Sequence, residues 1–97
     1  MVSGKIRVRS SYGLHLRPAS LLCQEALKYS CHIMLLTDTK QVNAKSVLGV
    51  LGACVKYNMI IEIQCDGEQE EEALQSILSL LDKVFDEECE MEHKNLS

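Results

Sequence analysis

The run Tyr12-Gly13-Leu14-His15-Leu16-Arg17-Pro18-Ala19-Ser20 sets a histidine two residues before an arginine and three before a proline. From Ala19 on, the apolar residues Ala19, Leu22, Cys23 and Ala26 recur with the spacing of one helix face. Proline is tolerated in a helix's first turn, where its missing N–H has no partner to lose. The spacing therefore predicts a helix starting near Leu16, with His15 at or just before its first turn. Free N–H groups and the positive end of the helix dipole lie there, and they favour an uncharged imidazole. An uncharged imidazole is a nucleophile near neutral pH. Once it carries a phosphoryl group, the same N–H groups and Arg17 hold the anion. The pattern thus offers a phosphate acceptor and a cradle for it. It also describes a histidine that merely ends a helix beside a surface arginine, and position alone does not separate the two readings.

A second candidate lies at Ala44-Lys45-Ser46-Val47-Leu48-Gly49-Val50-Leu51. Ser46 suits the N-cap of a short helix, which Gly49 and Gly52 weaken. Val47, Leu48, Val50 and Leu51 are too many apolar residues for one face of so short an element, so some are expected to face water or a partner.

The remaining elements must position these two stretches. Lys5 to Arg9 alternates as a strand with Ile6 and Val8 inward, and Ser10 to Leu14 forms a loop with Gly13 as its flexible point. The first helix runs from Leu16 to about Tyr29, and Leu16 and Ser20 fall off its core stripe. His32 to Thr37 is a strand, Asp38-Thr39 a turn, and Lys40 to Asn43 a brief edge strand paired as a hairpin. Ile60 to Cys65 reads as a central strand ended by Asp66-Gly67. Gln69 to about Phe85 is the strongest helix, striped by Leu74, Ile77, Leu78, Leu81, Val84 and Phe85, with Glu70, Glu71 and Glu72 at its favourable acidic end. Beyond Asp86 the chain is charged and less periodic, and it either frays or extends that helix. The order β-α-β-β-α-β-α implies an α+β domain, one sheet with helices on a single face.

Composition narrows the function classes. The 97 residues suffice for one small domain. A net charge of −4 argues against general nucleic-acid binding. No apolar run reaches the length of a transmembrane helix, and Arg7 and Arg9 precede any apolar stretch, unlike a signal peptide. The odd set Cys23, Cys31, Cys54, Cys65 and Cys89 holds no C-x-x-C pair, so buried free thiols in a reducing cytoplasm are expected rather than disulfides or zinc.

Gly13-Leu14-His15-Leu16-Arg17-Pro18-Ala19 and Lys45-Ser46-Val47-Leu48-Gly49-Val50 together resemble the HPr family, the histidine-containing phosphocarriers of the bacterial phosphoenolpyruvate-dependent sugar phosphotransferase system. The resemblance spans about residues 4 to 85. It implies an open-faced β-sandwich, a four-stranded antiparallel sheet in order 1-4-2-3 covered by three helices, over residues 1–88, with 89–97 as a charged C-terminal tail. It implies that His15 accepts a phosphoryl group on Nδ1 from Enzyme I and passes it to sugar-specific IIA domains, with Arg17 steadying the group. Ser46 matches the serine modified by HPr kinase/phosphorylase, and Leu16, Ser20, Val47, Leu48 and Leu51 match the docking patch. The implied protein is a monomeric cytoplasmic carrier, not an enzyme in its own right, with no cofactor, metal, nucleic acid or membrane partner.

The chain departs from the family pattern in places. Tyr12 replaces a small polar residue that supports the active-site loop, and Cys54 and Asn58 occupy turns that often carry glycine. Asp86 to Ser97 extends past the typical family end, where Cys89-Glu90-Met91-Glu92-His93 reads as solvated tail in preference to a metal site. Two rival functions remain. One is a regulatory HPr-like binding protein acting through phospho-Ser46 without transport flux, against which the presence of His15 and Arg17 weighs. The other is a hydrolase built on His15, for which no Ser/Asp or Cys/Asp partner pattern is present.

Overall fold

The computed structural model describes residues 1–96, and the side chains of residues 1–90. The elements in chain order are β1 (Val2–Arg7), α1 (Leu16–Ala26), β2 (His32–Leu36), β3 (Gln41–Asn43), α2 (Val47–Gly52), β4 (Ile60–Asp66) and α3 (Glu70–Leu96). The strands form one antiparallel sheet in the order β1-β4-β2-β3, with the three helices against it. This is the open-faced arrangement that the resemblance implied. Among the described residues no helix is long and apolar enough to cross a membrane.

β4 is an interior strand, and its alternation is complete. Ile61, Ile63 and Cys65 are buried, while β1 and β2 pair along its two edges. Ile33 and Leu35 of β2 point the same way, and Leu22 of α1 and Ile77, Leu81 and Phe85 of α3 close over them. Burying each such side chain contributes about 1.5–3 kcal/mol before chain entropy is counted.

Several boundaries differ from those read in the sequence. β1 lies earlier than Lys5–Arg9, because pairing from Val2↔Cys65 to Arg7↔Ile60 extends Ser3 and Gly4 regardless of their weak strand preference. Ile6 and Val8 still point inward. Gly4 packs closely under α3: a Cβ there would stand 2.7 Å from Leu78 Cδ1, and that side-chain end would have to shift. α1 stops at Ala26, before Tyr29, with Lys28 and Tyr29 held in turn contacts to Glu25 and Ala26 carbonyls. The resulting exit buries Cys31.

The largest difference is α3, which continues past Phe85 to Leu96. Glu88 follows Val84 by four residues and Phe85 by three, so it falls on the same buried stripe. Residues 89–96, read as a charged tail, are helical here. The reading of Met91, Glu92 and His93 as possible ligands lies outside the described side chains.

Candidate functional site

The loop before α1 is laced to the segment between α2 and β4. Val8 N–H donates to Met59 O at 2.8 Å, Asn58 N–H to Val8 O at 2.7 Å, and Leu14 N–H to Val55 O at 3.0 Å. Cys54 and Asn58 hold this platform with positive φ of 54° and 71°, the conformation that glycine more often supplies. Gly13 adopts φ +68°, and a Cβ on it would lie 2.3 Å from Val55 O. Its freedom lets the backbone turn so that Leu14 enters the core and His15 emerges beside it.

His15 is the N-cap of α1, and its side chain makes no capping hydrogen bond. Its carbonyl accepts from Ala19 N–H at 3.0 Å, the first bond of the helix. Pro18 sits buried in the first turn, as the sequence predicted.

The imidazole is held from outside its own helix. His15 Nε2 lies 2.7 Å from Glu88 Oε2. The same oxygen accepts from Ser10 Oγ–H at 2.9 Å. Ser10 Oγ in turn accepts from Tyr12 N–H at 3.3 Å. Glu88 is 5% exposed, whereas the His15 side chain is 39% exposed. Glu88 Oε1 is buried with no hydrogen-bond partner, and Arg17 Nη1 stands 3.9 Å away. Arg17 Nη2 donates to Glu87 at 3.1 Å. The structure thus brings His15 and Arg17 together through two carboxylates of the α3 extension. The sequence reading missed both. Continuing the stripe Val84, Phe85 by one turn reaches Glu88 and is the signal that could have found it.

Further contacts fix that last stretch of α3 to the loop. Arg9 donates to Asp82 Oδ1 at 2.7 Å and to Asp82 O at 2.9 Å, and it pairs with Asp86. Asp86, more than Asp82, holds the Arg9 guanidinium above its ordinary range against some desolvation. Cys89 Sγ–H donates to Arg9 O at 3.3 Å. Tyr12 does not take over the loop support of the small residue it replaces. Tyr12 is 63% exposed and its ring stands edge-on to His15, with centroids 5.6 Å apart, while Ser10 Oγ accepts from Tyr12 N–H.

The second stretch lies at the start of α2. Ser46 caps that helix, its Oγ accepting from Gly49 N–H at 3.0 Å. Cys23 Sγ–H donates to Lys45 O at 2.9 Å, which ties this helix start to the flank of α1. Leu48 and Leu16 are exposed, Ser20, Val47 and Leu51 are half-buried, and Val50 enters the core. Of the cysteines, Cys23, Cys31 and Cys65 are buried, Cys89 is intermediate and Cys54 is exposed; all are free thiols. Burial pushes the Cys65 thiol up to about 11. Among the described residues no group of three His, Cys, Asp or Glu side chains is placed to hold a metal ion.

Residues 2–83 match the family described as the PTS HPr component phosphorylation site. The phosphocarrier protein HPr of Treponema pallidum (strain Nichols) is 39% identical over 91% of this chain and 100% of that protein. The HPr-like protein Crh of Bacillus subtilis (strain 168) is 39% identical over 79% of this chain and 91% of its own length. A solved structure of the histidine-containing phosphocarrier protein of Mycoplasma superposes with a TM-score of 0.85 at 33% identity, covering 87% of this chain and 96% of that one. The sheet order, the loop that presents His15 and these matches lead to one assignment: the chain belongs to the HPr family of phosphocarriers of the phosphotransferase system.

Proposed function

We propose that His15 is the phosphoryl acceptor of this chain, taking the group from phosphorylated Enzyme I and handing it to sugar-specific IIA domains. The carrying observation is that His15 occupies the N-cap of α1 without capping it, so its ring is left for other chemistry. In the transfer, a lone pair on the His15 imidazole attacks phosphorus. The bond from phosphorus to the donor's phosphohistidine nitrogen breaks, and its electron pair returns to the donor ring. Little covalent work is asked of the protein beyond positioning and charge. The α1 N–H groups and the Arg17 guanidinium supply the charge, Arg17 exchanging its exposed Glu87 partner for the phosphoryl oxygens. Leu16 and Leu48, with Ser20, Val47 and Leu51 around them, supply the docking patch. Ser46 is the regulatory position, modified by HPr kinase/phosphorylase.

The test is incubation with Enzyme I and phosphoenolpyruvate, scored for acid-labile phosphate. The wild type acquires it and His15→Ala does not; label retained in His15→Ala rules the assignment out. A second reading is favoured by the Crh relative, which has the same 39% identity as the HPr relative over a shorter match. In it the chain is a regulatory binding protein that works through phospho-Ser46. A folded wild type that takes no phosphate from Enzyme I but is modified at Ser46 selects that reading.

A further inference from the structure

We propose that Glu88 is the positioning residue of His15, fixing the proton on Nε2 and leaving Nδ1 as the nucleophilic nitrogen. This rests on the reading of His15 as acceptor, but its first test does not.

The argument follows the direction of each hydrogen bond. A backbone N–H can only donate, so at Tyr12 N the Ser10 hydroxyl oxygen accepts. The hydroxyl hydrogen is then free to point at Glu88 Oε2, 2.9 Å away. Oε2 is therefore an acceptor, as a carboxylate oxygen must be. His15 Nε2 approaches that same oxygen to 2.7 Å, so it carries the hydrogen. A neutral imidazole with a proton on Nε2 has its lone pair on Nδ1. The relay runs from loop backbone through Ser10 and Glu88 to the ring, and among the described residues it reaches His15 through Nε2.

The same contact serves the product. When Nδ1 bonds to phosphorus the ring becomes cationic while Nε2 keeps its proton. Glu88 already faces that proton, from a site 5% exposed where a carboxylate interacts more strongly than it would in water. No proton has to move as the bond forms. Glu87, nearly half exposed, is paired with Arg17.

Ring ¹⁵N spectra of the free protein, with no partner present and at a pH where the ring is neutral, read the tautomer directly. The wild type should show Nε2 protonated, Nδ1 unprotonated, and an Nε2–H proton protected from exchange with water. Glu88→Gln keeps an acceptor oxygen and should keep that signature. Glu88→Met has similar length but no such acceptor, and should lose the protection and give the mixed tautomers of an unrestrained ring. Phosphorylation by Enzyme I should then be roughly tenfold slower in Glu88→Met, the scale expected when a reacting group loses its orientation, and intermediate in Glu88→Gln, which orients the ring but lacks the charge that faces the cationic product. Wild-type spectra in Glu88→Met overturn the proposal, as does an unprotonated Nε2 in the wild type. Phosphorylation of Glu88→Met at or above the wild-type rate also overturns it, since the carboxylate would then be an obstruction. If the spectra follow this pattern but no variant nor the wild type takes up phosphate, the acceptor reading fails and the tautomer assignment stands.

Discussion

Two helices of this protein begin with a residue that carries the proposed chemistry, and the two beginnings are built differently. At α2 the N-cap Ser46 turns its hydroxyl back onto Gly49 N–H, so the helix end is closed by its own first residue. At α1 the N-cap His15 leaves its helix end uncapped, and its ring is gripped by Glu88, 73 residues away in sequence. A cap satisfied locally makes a stable helix start and commits the side chain to it. A side chain held from a distance is oriented while its helix end stays open to an anion. The contrast predicts that α1 tolerates changes in its cap but not in the loop that presents it, and that α2 behaves the other way.

The largest expected effect tests the loop. Gly13→Ala places a Cβ where Val55 O stands at 2.3 Å and forces φ +68° on a residue that disfavours it. The left-handed conformation alone costs roughly 1–2 kcal/mol, and the backbone collision adds to it. The variant should melt more than about 8 °C below the wild type, using the ordinary scaling for a domain of this size. A melting point within a few degrees of wild type would show that the loop relaxes freely and that His15 is not held by its presentation.

The cap of α2 comes next. Ser46→Ala removes the acceptor for Gly49 N–H and should cost about 1 kcal/mol, some 4–8 °C in melting temperature. Ser46→Asp keeps a good capping oxygen and should melt close to wild type. It also plants a negative charge beside Val47 and the exposed Leu48, which a docking partner must desolvate or face. Enzyme I should therefore phosphorylate His15 more slowly in Ser46→Asp than in Ser46→Ala, although Ser46→Asp is the more stable of the two. Equal rates in two folded variants reduce Ser46 to a cap. Phosphoserine itself carries about −1.5 to −2 charges and should act in the same direction, more strongly.

These two helix starts also mark what could be read from the sequence. The Ser46 cap was legible because capping is local: a serine ahead of an apolar run needs nothing from the rest of the chain. The place of His15 was legible for the same reason, through Gly13, Pro18 and the stripe that follows. The strand order came from the resemblance to a family, since alternation in β1 and β4 does not say which strands are neighbours. The clasp on His15 stayed hidden because Asp86 to Glu90 has the composition of a solvated end. Only tertiary contacts, the hydrogen bonds with Ser10 and His15 and the nearby Arg17 guanidinium, make burial of Glu88 tolerable. β1 began three residues early for a similar reason, its Ser3 and Gly4 extended by a partner strand rather than by their own preference. Cys54 escaped the expected burial because the turn it occupies, at φ 54°, turns it outward.

The smallest effect concerns the other end of α1, where it meets α3 again. Glu25 lies in the last turn, where the helix dipole disfavours acid. It is kept by partners: Ser76 Oγ–H of α3 donates to Oε2, and Lys28 Nζ donates to Oε1 at 2.9 Å. The Ser76 hydrogen bond, followed by that from Lys28, holds the Glu25 carboxyl below its ordinary value of 4.5, against partial desolvation. A depressed carboxyl contributes stability that is full above the unfolded value and is lost as pH falls through the folded one. Glu25 should therefore stabilise the fold at pH 6–7, and lose that contribution below about pH 4.5. Glu70 is held low too, by the N-terminal ammonium first and then by Gly67 N–H, so the acid limb of the wild type mixes both groups. The difference between wild type and Glu25→Gln separates them, because Gln still accepts from Ser76 but lacks the charge and, with it, the acceptor for Lys28 Nζ. Melting temperatures of the pair should differ most near neutrality and converge as pH drops below 4.5. A gap that stays constant across that range would mean that packing, not the charge, joins this end of α1 to α3. The two contacts of α1 with α3 would then differ in kind, a hydrogen bond to a buried carboxylate at His15 and packing at Glu25.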